Sequence, residues 1–174
     1  IQNRDFEYTA DDHRDWNAQT AWRLEGSGTT WNIKTEAPIH KNNAHYSNLK
    51  ATQAGAKLIN EGWDGIPLQK GKKYNLSLFT KGAGSLNVSL VANGVNIAST
   101  TVKASKEWKQ QKFTLTPSKS ADNAELVIEP LDACNIDIDF VSLFPQETFK
   151  NRPNGLRKDL AEVIADLEPR FVRF

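Results

Sequence analysis

The chain has 174 residues, of which 22 are basic and 21 are acidic, so its net charge is close to zero. This balance provides no basic surface for nucleic acid or an anionic membrane, and we expect neither partner. No run of 18 apolar residues is present, so no transmembrane helix is predicted. The single cysteine, Cys134, excludes an internal disulfide and is expected to be a buried apolar residue.

Before residue 145 the sequence consists of short alternating segments separated by Gly, Asn and Ser, which is typical of strands and turns. Short strands are predicted at Ile1–Thr9, Thr20–Glu25, Thr30–Thr35, Tyr46–Thr52, Ala56–Asn60, Tyr74–Thr80, Ser85–Val91, Val95–Thr101, Lys109–Thr116, Ala124–Glu129 and Ile136–Phe144. Their spacing, with no periodic helix before residue 155, predicts an antiparallel β-sandwich.

Two pairs of these strands are predicted to form hairpins. Gly26-Ser-Gly28 separates the first pair, and Gly82-Ala-Gly84 separates Tyr74–Thr80 from Ser85–Val91. Each strand of the second pair alternates apolar with polar side chains, which predicts one buried face and one exposed face.

A different pattern follows Pro145. One helical stripe, which predicts a helix over about 156–167, is formed by Leu156, Leu160, Val163, Ile164 and Leu167. Asn154 is predicted to cap this helix and Pro169 to end it, and a short strand is expected at Phe171–Phe174. The helix has too little partner surface to bury its stripe alone. We therefore expect both ends of the chain to be cut from a longer polypeptide, with one domain at 1–144 and part of another at 145–174.

Two carboxylates near the start of the last predicted strand are candidates for chemistry. Asp137 and Asp139 share a face of an extended strand, and the same parity places Val141 and Leu143 on that face. A glycosidase-type pair is one interpretation, since retaining enzymes hold their carboxyl groups roughly 5–5.5 Å apart. A second is calcium ligation with Glu7 and backbone carbonyls. The third is an edge pair bound to loop amides.

Aromatic side chains suggest a binding surface. Trp63 lies between glycines in a polar loop, where a core position is difficult to arrange. Phe79 lies on the polar side of its strand with Asn75, and Asn87 and Gln110 are predicted to share that side on neighbouring strands. Amides beside an aromatic ring suit a sugar, whose hydroxyls form hydrogen bonds while its C–H face stacks on the ring. An ordinary solvated outer face is the alternative.

Several segments resemble a known family. Asn3–Glu7, Gly71–Lys81, Glu107–Lys109 and Ile138–Leu143 resemble, in order, motif blocks of the jelly-roll carbohydrate-binding modules of families four, nine and twenty-two. The resemblance implies a jelly-roll sandwich and a structural calcium held by an aspartate of the closing strand, for which Asp139 is the matching position. Phe140 stands where a second aspartate is common.

The segment Val141–Leu160, continued by Glu168–Phe174, is similar to multidomain family fifty-one α-L-arabinofuranosidases. The resemblance implies a module inserted near the start of a catalytic (β/α)8 barrel, so that 156–174 would be an early barrel helix and strand. It also implies secreted or periplasmic location, and catalytic glutamates that lie outside this sequence. We therefore assign no catalytic residue.

Three functions are compatible with the sequence. The first is a non-catalytic module that binds arabinan or arabinoxylan, polysaccharides of the plant cell wall, for an arabinofuranosidase. The second is a structural insert that packs on the barrel and shapes its active-site rim. The third is an autonomous hydrolase.

Overall fold

The computed structural model describes residues 1–153 and 155–168. This part of the chain contains eleven strands and one α-helix. The strands are β1 (Trp22–Glu25), β2 (Thr29–Lys34), β3 (Tyr46–Ala51), β4 (Lys57–Asn60), β5 (Ile66–Leu68), β6 (Tyr74–Ala83), β7 (Ser85–Ala92), β8 (Val95–Lys103), β9 (Lys109–Leu115), β10 (Ala121–Pro130) and β11 (Cys134–Pro145). A short 3-10 turn at Phe149–Asn151 precedes the helix α1 (Lys158–Asp166).

The strands form two antiparallel sheets. The first sheet has the order β1-β4-β10-β7-β8, with β5 also paired to β10, and the second has the order β2-β3-β11-β6-β9. Neighbours in each sheet are mostly distant in sequence, as in a jelly roll, and the predicted antiparallel jelly-roll β-sandwich is confirmed.

The core fills the space between the two sheets, and alternation along the strands determines which residues enter it. In β6, Leu76 and Leu78 are fully buried, whereas Asn75, Ser77 and Phe79 point outward. From the opposite sheet they meet Leu86, Val88, Leu90, Leu126 and Ile128. Each fully buried side chain of this size contributes about 1.5–3 kcal/mol relative to an exposed one. Cys134 is buried at the edge of this core, as predicted.

Both predicted hairpins are wrong. β6 pairs with β11 and β9, whereas β7 pairs with β10 and β8, so Gly82–Gly84 carries the chain from one sheet to the other. The same holds for β1 and β2 around Gly26–Gly28. The glycines at the second crossing are required by space, since a Cβ on Gly82 would lie 2.1 Å from the carbonyl oxygen of Asn135. Glycine is therefore required here because two backbone segments approach closely, and the segment does not form a hairpin turn.

The N-terminal segment is not a strand, contrary to the prediction for Ile1–Thr9. It forms turns, with positive φ at Asn3 and Phe6, and it places the fully buried Phe6 against Trp22, with 5.3 Å between ring centroids. Alternation within a short segment cannot distinguish a strand from such an irregular plug.

A β-bulge interrupts β11. Its register with β6 shifts between Asp139 and Ser142, and Phe140 has φ of +48°. Asp137 and Asp139 share a face, as predicted, and this face is the outer side of the second sheet, whereas Val141 and Leu143 turn inward. The prediction that Val141 and Leu143 share the face of the two aspartates is therefore wrong, because the extra residue reverses the alternation.

Helix α1 keeps its apolar stripe exposed, as expected from its shortage of partners. More than half of each side chain is accessible for Leu156, Leu160, Val163, Ile164 and Leu167. Within the described residues no helix is long and apolar enough to cross a bilayer. The predicted cap Asn154, the helix stop Pro169 and the strand at 171–174 lie outside the described residues.

Candidate functional site

The outer face of the first sheet is closed by ion pairs. Arg23 lies 2.6 Å from Glu125, 3.0 Å from Glu25 and 3.6 Å from Glu61. Beneath these long side chains Ile59 is only 3% exposed, although it lies outside the core. The charges on this face are thus satisfied by one another.

Asn87 belongs to this closed face. It lies on β7 of the first sheet and donates a hydrogen bond to Glu129 (3.3 Å), whose carboxylate also lies 3.9 Å from Lys57. The prediction that Asn87 shares a side with Phe79 is wrong, because β6 and β7 lie in different sheets.

The outer face of the second sheet carries an aromatic pair. Phe79 and Phe140 are partly exposed and meet edge to face, with 5.9 Å between ring centroids. Phe140 reaches this position because the bulge turns it outward. The Arg4 guanidinium lies 5.8 Å from the Phe140 centroid and donates to the Ser142 hydroxyl (3.2 Å). These two contacts of Arg4 hold the Phe140 ring in place.

Polar side chains surround the pair. Gln110 is directly opposite Phe79 on β9, Lys112 is opposite Ser77, and Asn75 lies four residues before Phe79 on β6. In the described part of the chain, Asn75, Gln110 and Lys112 form no side-chain hydrogen bond or ion pair. We call this group the Phe79 face, and it is formed by Asn75, Ser77, Phe79, Gln110, Lys112 and Phe140. It offers a ring edge and free amide groups to a ligand.

A strap formed by residues 35–45 crosses the same sheet beside the Phe79 face. The carbonyl of Ala37 accepts hydrogen bonds from Trp108 Nε1 (3.1 Å) and Lys81 Nζ (3.5 Å). The carbonyl of Glu36 accepts one from the Tyr46 hydroxyl. These contacts join the β2 edge to the β9 edge, so the strap covers Tyr46 and closes the middle of the sheet.

Lys81 is held beneath this strap. Its Nζ lies 4.8 Å from the Trp108 ring centroid and 5.3 Å from that of Tyr46, and 3.4 Å from the Asp137 carboxylate. Asp137 also accepts a hydrogen bond from the Asn48 amide (2.7 Å). Asp137 is therefore fully engaged in holding the strap region together.

Asp139 is fully buried. It accepts hydrogen bonds from the Phe140 backbone N–H (2.7 Å) and the Asn43 amide (3.2 Å). Burial raises the pKa of its carboxyl to about 8, the Phe140 N–H opposes that rise, and the nearby charges of Asp5 and Glu7 add to it. Because Asp139 is fully buried and Asp137 is bound to Lys81 and Asn48, the two do not form an accessible glycosidase pair.

The predicted metal residues fit calcium only in part. A buried carboxyl with two acidic neighbours is a suitable first ligand for a cation, and this describes Asp139. Glu7 is less suitable, because its carboxylate accepts the His45 backbone N–H (2.7 Å) and lies 2.6 Å from His45 Nδ1. Among residues 1–153 and 155–168, no group of three His, Cys, Asp or Glu side chains could hold a metal.

Comparison with known proteins identifies the family. The model of the carbohydrate-binding domain family CBM_4_9 matches residues 1–133, which is most of the chain. The chain belongs to this carbohydrate-binding family. The module also resembles, over 84% of its length, a solved carbohydrate-binding module of family 4 at a TM-score of 0.57 and 20% identity, which shows the shared fold.

The relatives of this module include α-L-arabinofuranosidases. It is 36% identical to an extracellular exo-α-L-arabinofuranosidase of Streptomyces chartreusis, with 100% of the chain aligned to 21% of that enzyme. Alpha-L-arabinofuranosidase 1 of Arabidopsis thaliana is 30% identical over 69% of the chain. An arabinose-bound GH51 α-L-arabinofuranosidase structure superimposes over 100% of the chain, and 30% of its own, with a TM-score of 0.82 and 30% identity. The module spans about a fifth of the curated relatives' length.

The structure separates the predicted sugar-binding residues of the module into three groups. Phe79, Asn75 and Gln110 share the Phe79 face, Asn87 lies on the closed face, and Trp63 lies in the loop between β4 and β5 of the first sheet. Sequence reasoning missed Phe140, because nothing in the sequence marks a bulge there. It also missed the strap, whose acceptors are main-chain carbonyls.

Proposed function

We propose that this module binds saccharide at the Phe79 face. The observation that supports this is the exposed Phe79–Phe140 pair beside amide groups with no partner in the described part of the chain. A sugar unit laid on the aromatic pair loses water from its C–H face, and its hydroxyls form hydrogen bonds with Gln110. Asn75, about 13 Å away along β6, binds a neighbouring unit of the same saccharide. The bulge and the Arg4 contact hold the rings in place before binding, which lowers the entropic cost of association.

We propose arabinan or arabinoxylan of the plant cell wall as the ligand. Two of the relatives above are α-L-arabinofuranosidases by name. A third protein of that name, whose structure is arabinose-bound, superimposes on the module. We further propose that a longer, secreted α-L-arabinofuranosidase carries the module and supplies the catalytic carboxylates. The exposed stripe of α1 would then pack on the catalytic barrel of that enzyme.

Calorimetric titration of the chain with arabino-oligosaccharides and arabinoxylan tests the proposal. We expect saturable binding that Phe79→Ala weakens at least about tenfold, equivalent to about 1.4 kcal/mol. Replacement of Phe79 leaves the core intact, since its ring lies outside it. An absence of binding by the wild-type chain at millimolar ligand contradicts the proposal, as does an unchanged affinity in a folded Phe79→Ala variant.

The strap favours a second candidate function. Because residues 35–45 close the middle of the second sheet, a large part of that face is occupied by the protein itself. The module would then be a structural insert that shapes the rim of the catalytic domain without binding sugar. Absence of binding to the chain, together with a changed substrate profile when the module is removed from the parent enzyme, would favour this candidate.

We also propose that Asp139 is a ligand of a structural calcium ion. The bound cation would supply a positive charge beside a carboxyl that is fully buried and forms no ion pair in the described residues, where Arg4 acts only from a longer distance. Calcium should therefore raise the melting temperature of the wild-type chain and leave that of Asp139→Asn unchanged. An equal response of the two proteins contradicts this assignment.

A further inference from the structure

The rings of Tyr8, Trp16 and Trp63, which come from two loops, form a partly exposed strip that shares no residue with the Phe79 face. Trp16 stacks on Tyr8 with 4.6 Å between centroids and an angle of 8°, and Trp63 lies 6.1 Å from Trp16. Trp63 is 65% exposed, which is unusual for an indole in a folded domain. We call these three residues the Trp63 strip.

The loop that carries Trp63 is tightly anchored. The Gly62 N–H donates to the side chain of the buried Asn60 (3.0 Å), and the Gly65 N–H donates to the Glu61 carbonyl (2.9 Å). Gly65 has φ of +97°, and a Cβ there would lie 2.6 Å from the Asn123 backbone. The exposed indole is therefore presented by a fixed turn rather than by a free loop.

The second loop is anchored as well. Asn3 is buried, and its amide donates to the carbonyls of Ala18 and Thr20, at 2.9 Å each. Within the loop the Trp16 N–H donates to the His13 carbonyl (2.9 Å), and the His13 ring lies 5.3 Å from the Trp16 ring. Both sides of the strip are thus arranged before any ligand arrives.

The surroundings of the strip are polar and acidic. Residues 9–20 and 61–65 contain one basic side chain, Arg14, and five acidic side chains, which are Asp11, Asp12, Asp15, Glu61 and Asp64. A surface that docks another protein has a contiguous apolar centre depleted of charge, and this one has separate rings among carboxylates. Rings beside carboxylates suit a neutral sugar, whose hydroxyls donate to the carboxylate oxygens. The acidic charge disfavours sugars that carry carboxyl groups.

Trp63 also borders a cleft of about 880 Å³. Apolar side chains such as Ile66 and Leu143 line it, together with basic ones such as Lys72, Lys73 and Arg157. A saccharide stacked on Trp63 can therefore extend into a partly enclosed space. This cleft gives the strip the room that a chain of several sugar units requires.

We propose that the Trp63 strip is a second saccharide-binding site of the module, specific for a neutral oligosaccharide and independent of the Phe79 face. This inference rests on the proposed function, since it assumes that the module binds saccharide. The two sites use different rings, one set on strands of the second sheet and the other on two loops, so their loss can be measured separately.

The test is calorimetry and tryptophan fluorescence on the full 174-residue chain, with linear arabino-oligosaccharides as the probe. We expect two sites in the wild type and a blue shift of emission as the sugar removes water from Trp63. Trp63→Ala should lose one site and the shift, with at least about a tenfold loss of affinity there, whereas Phe79→Ala should lose the other site and keep the shift. Trp63→Phe, which keeps a ring, should recover part of the binding. Val95→Ala, at another exposed apolar residue, is the matched control and should change nothing.

Three results would overturn the proposal. The first is a folded Trp63→Ala variant with unchanged stoichiometry and emission shift. The second is loss of all binding in Phe79→Ala, which leaves the proposed function standing with one site. The third is a wild-type chain that binds no arabino-oligosaccharide, in which case the proposed function fails as well.

Discussion

The outer faces of the two sheets are built from similar polar side chains but use them in different ways. On the first sheet Arg23 and Lys57 pair with carboxylates, and Asn87 is bound to Glu129. On the second sheet Asn75 and Gln110 have no side-chain partner among the described residues. A face whose groups satisfy one another has little to gain from a ligand, whereas unpartnered amides beside a ring can still form strong contacts. The contrast therefore supports the proposal that saccharide binds on the second sheet, which the similar polar composition of the two faces does not indicate.

The largest expected effect concerns Asp139, the buried carboxyl on the second sheet. Its pKa rises from 3.8 to about 8 on folding, so the native state binds more protons between these values. Without calcium, the free energy of unfolding should fall as pH rises from about 4 to 8, by at most about 1.4 kcal/mol per pH unit. Urea unfolding in EGTA across this range measures the slope.

Asp139→Asn is the control for this measurement, because it keeps the shape and removes the ionisable group. Its slope should be smaller than that of the wild type in this window. Equal slopes would place the pH sensitivity elsewhere in the molecule. Millimolar calcium should flatten the wild-type slope, because a bound cation favours the ionised carboxyl.

A smaller effect is expected from a matched pair of asparagines, one on each face. Asn75→Ala should weaken arabino-oligosaccharide binding about three- to tenfold, because a hydrogen bond to the sugar is lost. Asn87→Ala should leave the affinity unchanged, since its partner is Glu129 rather than a ligand. Calorimetry on the two variants compares the faces directly. Equal affinities would remove the distinction between them.

Arg23→Ala tests the closed face, where we expect a substitution to change stability rather than binding at the Phe79 face. Its loss should lower the free energy of unfolding by about 0.5–1 kcal/mol, because the pairs are partly exposed and Ile59 loses cover. Saccharide affinity at the Phe79 face should stay at the wild-type value. A stability loss accompanied by weaker binding at that face would show that the outer face of the first sheet also contributes to recognition there.

The smallest effect is expected on a surface that belongs to neither face. Leu160 on α1 is more than half exposed, so Leu160→Ser should change the free energy of unfolding by less than about 0.5 kcal/mol. Leu78→Ser in the core is the comparison, and it should be severely destabilising. A large effect at Leu160 in a melting experiment would indicate that its stripe is buried in solution.

The sequence predicted most of the strands, but it did not predict which strands pair with each other in the two sheets. Alternation along β6 and β7 identifies which side chains are buried, yet it contains nothing about which strand lies beside which. A short glycine segment can form a hairpin turn or carry the chain from one sheet to the other. The sequence does not distinguish the two, and Asn87 was therefore predicted on the wrong sheet. A true hairpin joins β7 to β8, where Asn93-Gly94 forms the two-residue turn.

The candidate site was predictable to a similar extent. Phe79, Asn75 and Gln110 follow from alternation, because they lie on the outer side of two strands that are in fact adjacent. Phe140 does not, since the bulge that exposes it depends on packing between β11 and the N-terminal segment, where the Val141 N–H donates to the Arg4 carbonyl (2.8 Å). Contacts made by main-chain carbonyls, such as those of the strap, leave no mark in the side-chain pattern.

The strap also limits which part of a polymer the second sheet can receive. Because Glu36 and Ala37 bridge from one edge of the sheet to the other, a long glycan laid along β6 would meet a barrier at Lys81, just beyond Phe79, and at Trp108. The Phe79 face is therefore a dead-ended bay rather than an open channel. Such a bay suits a terminal unit or a single-residue branch, and it excludes the uninterrupted middle of a backbone.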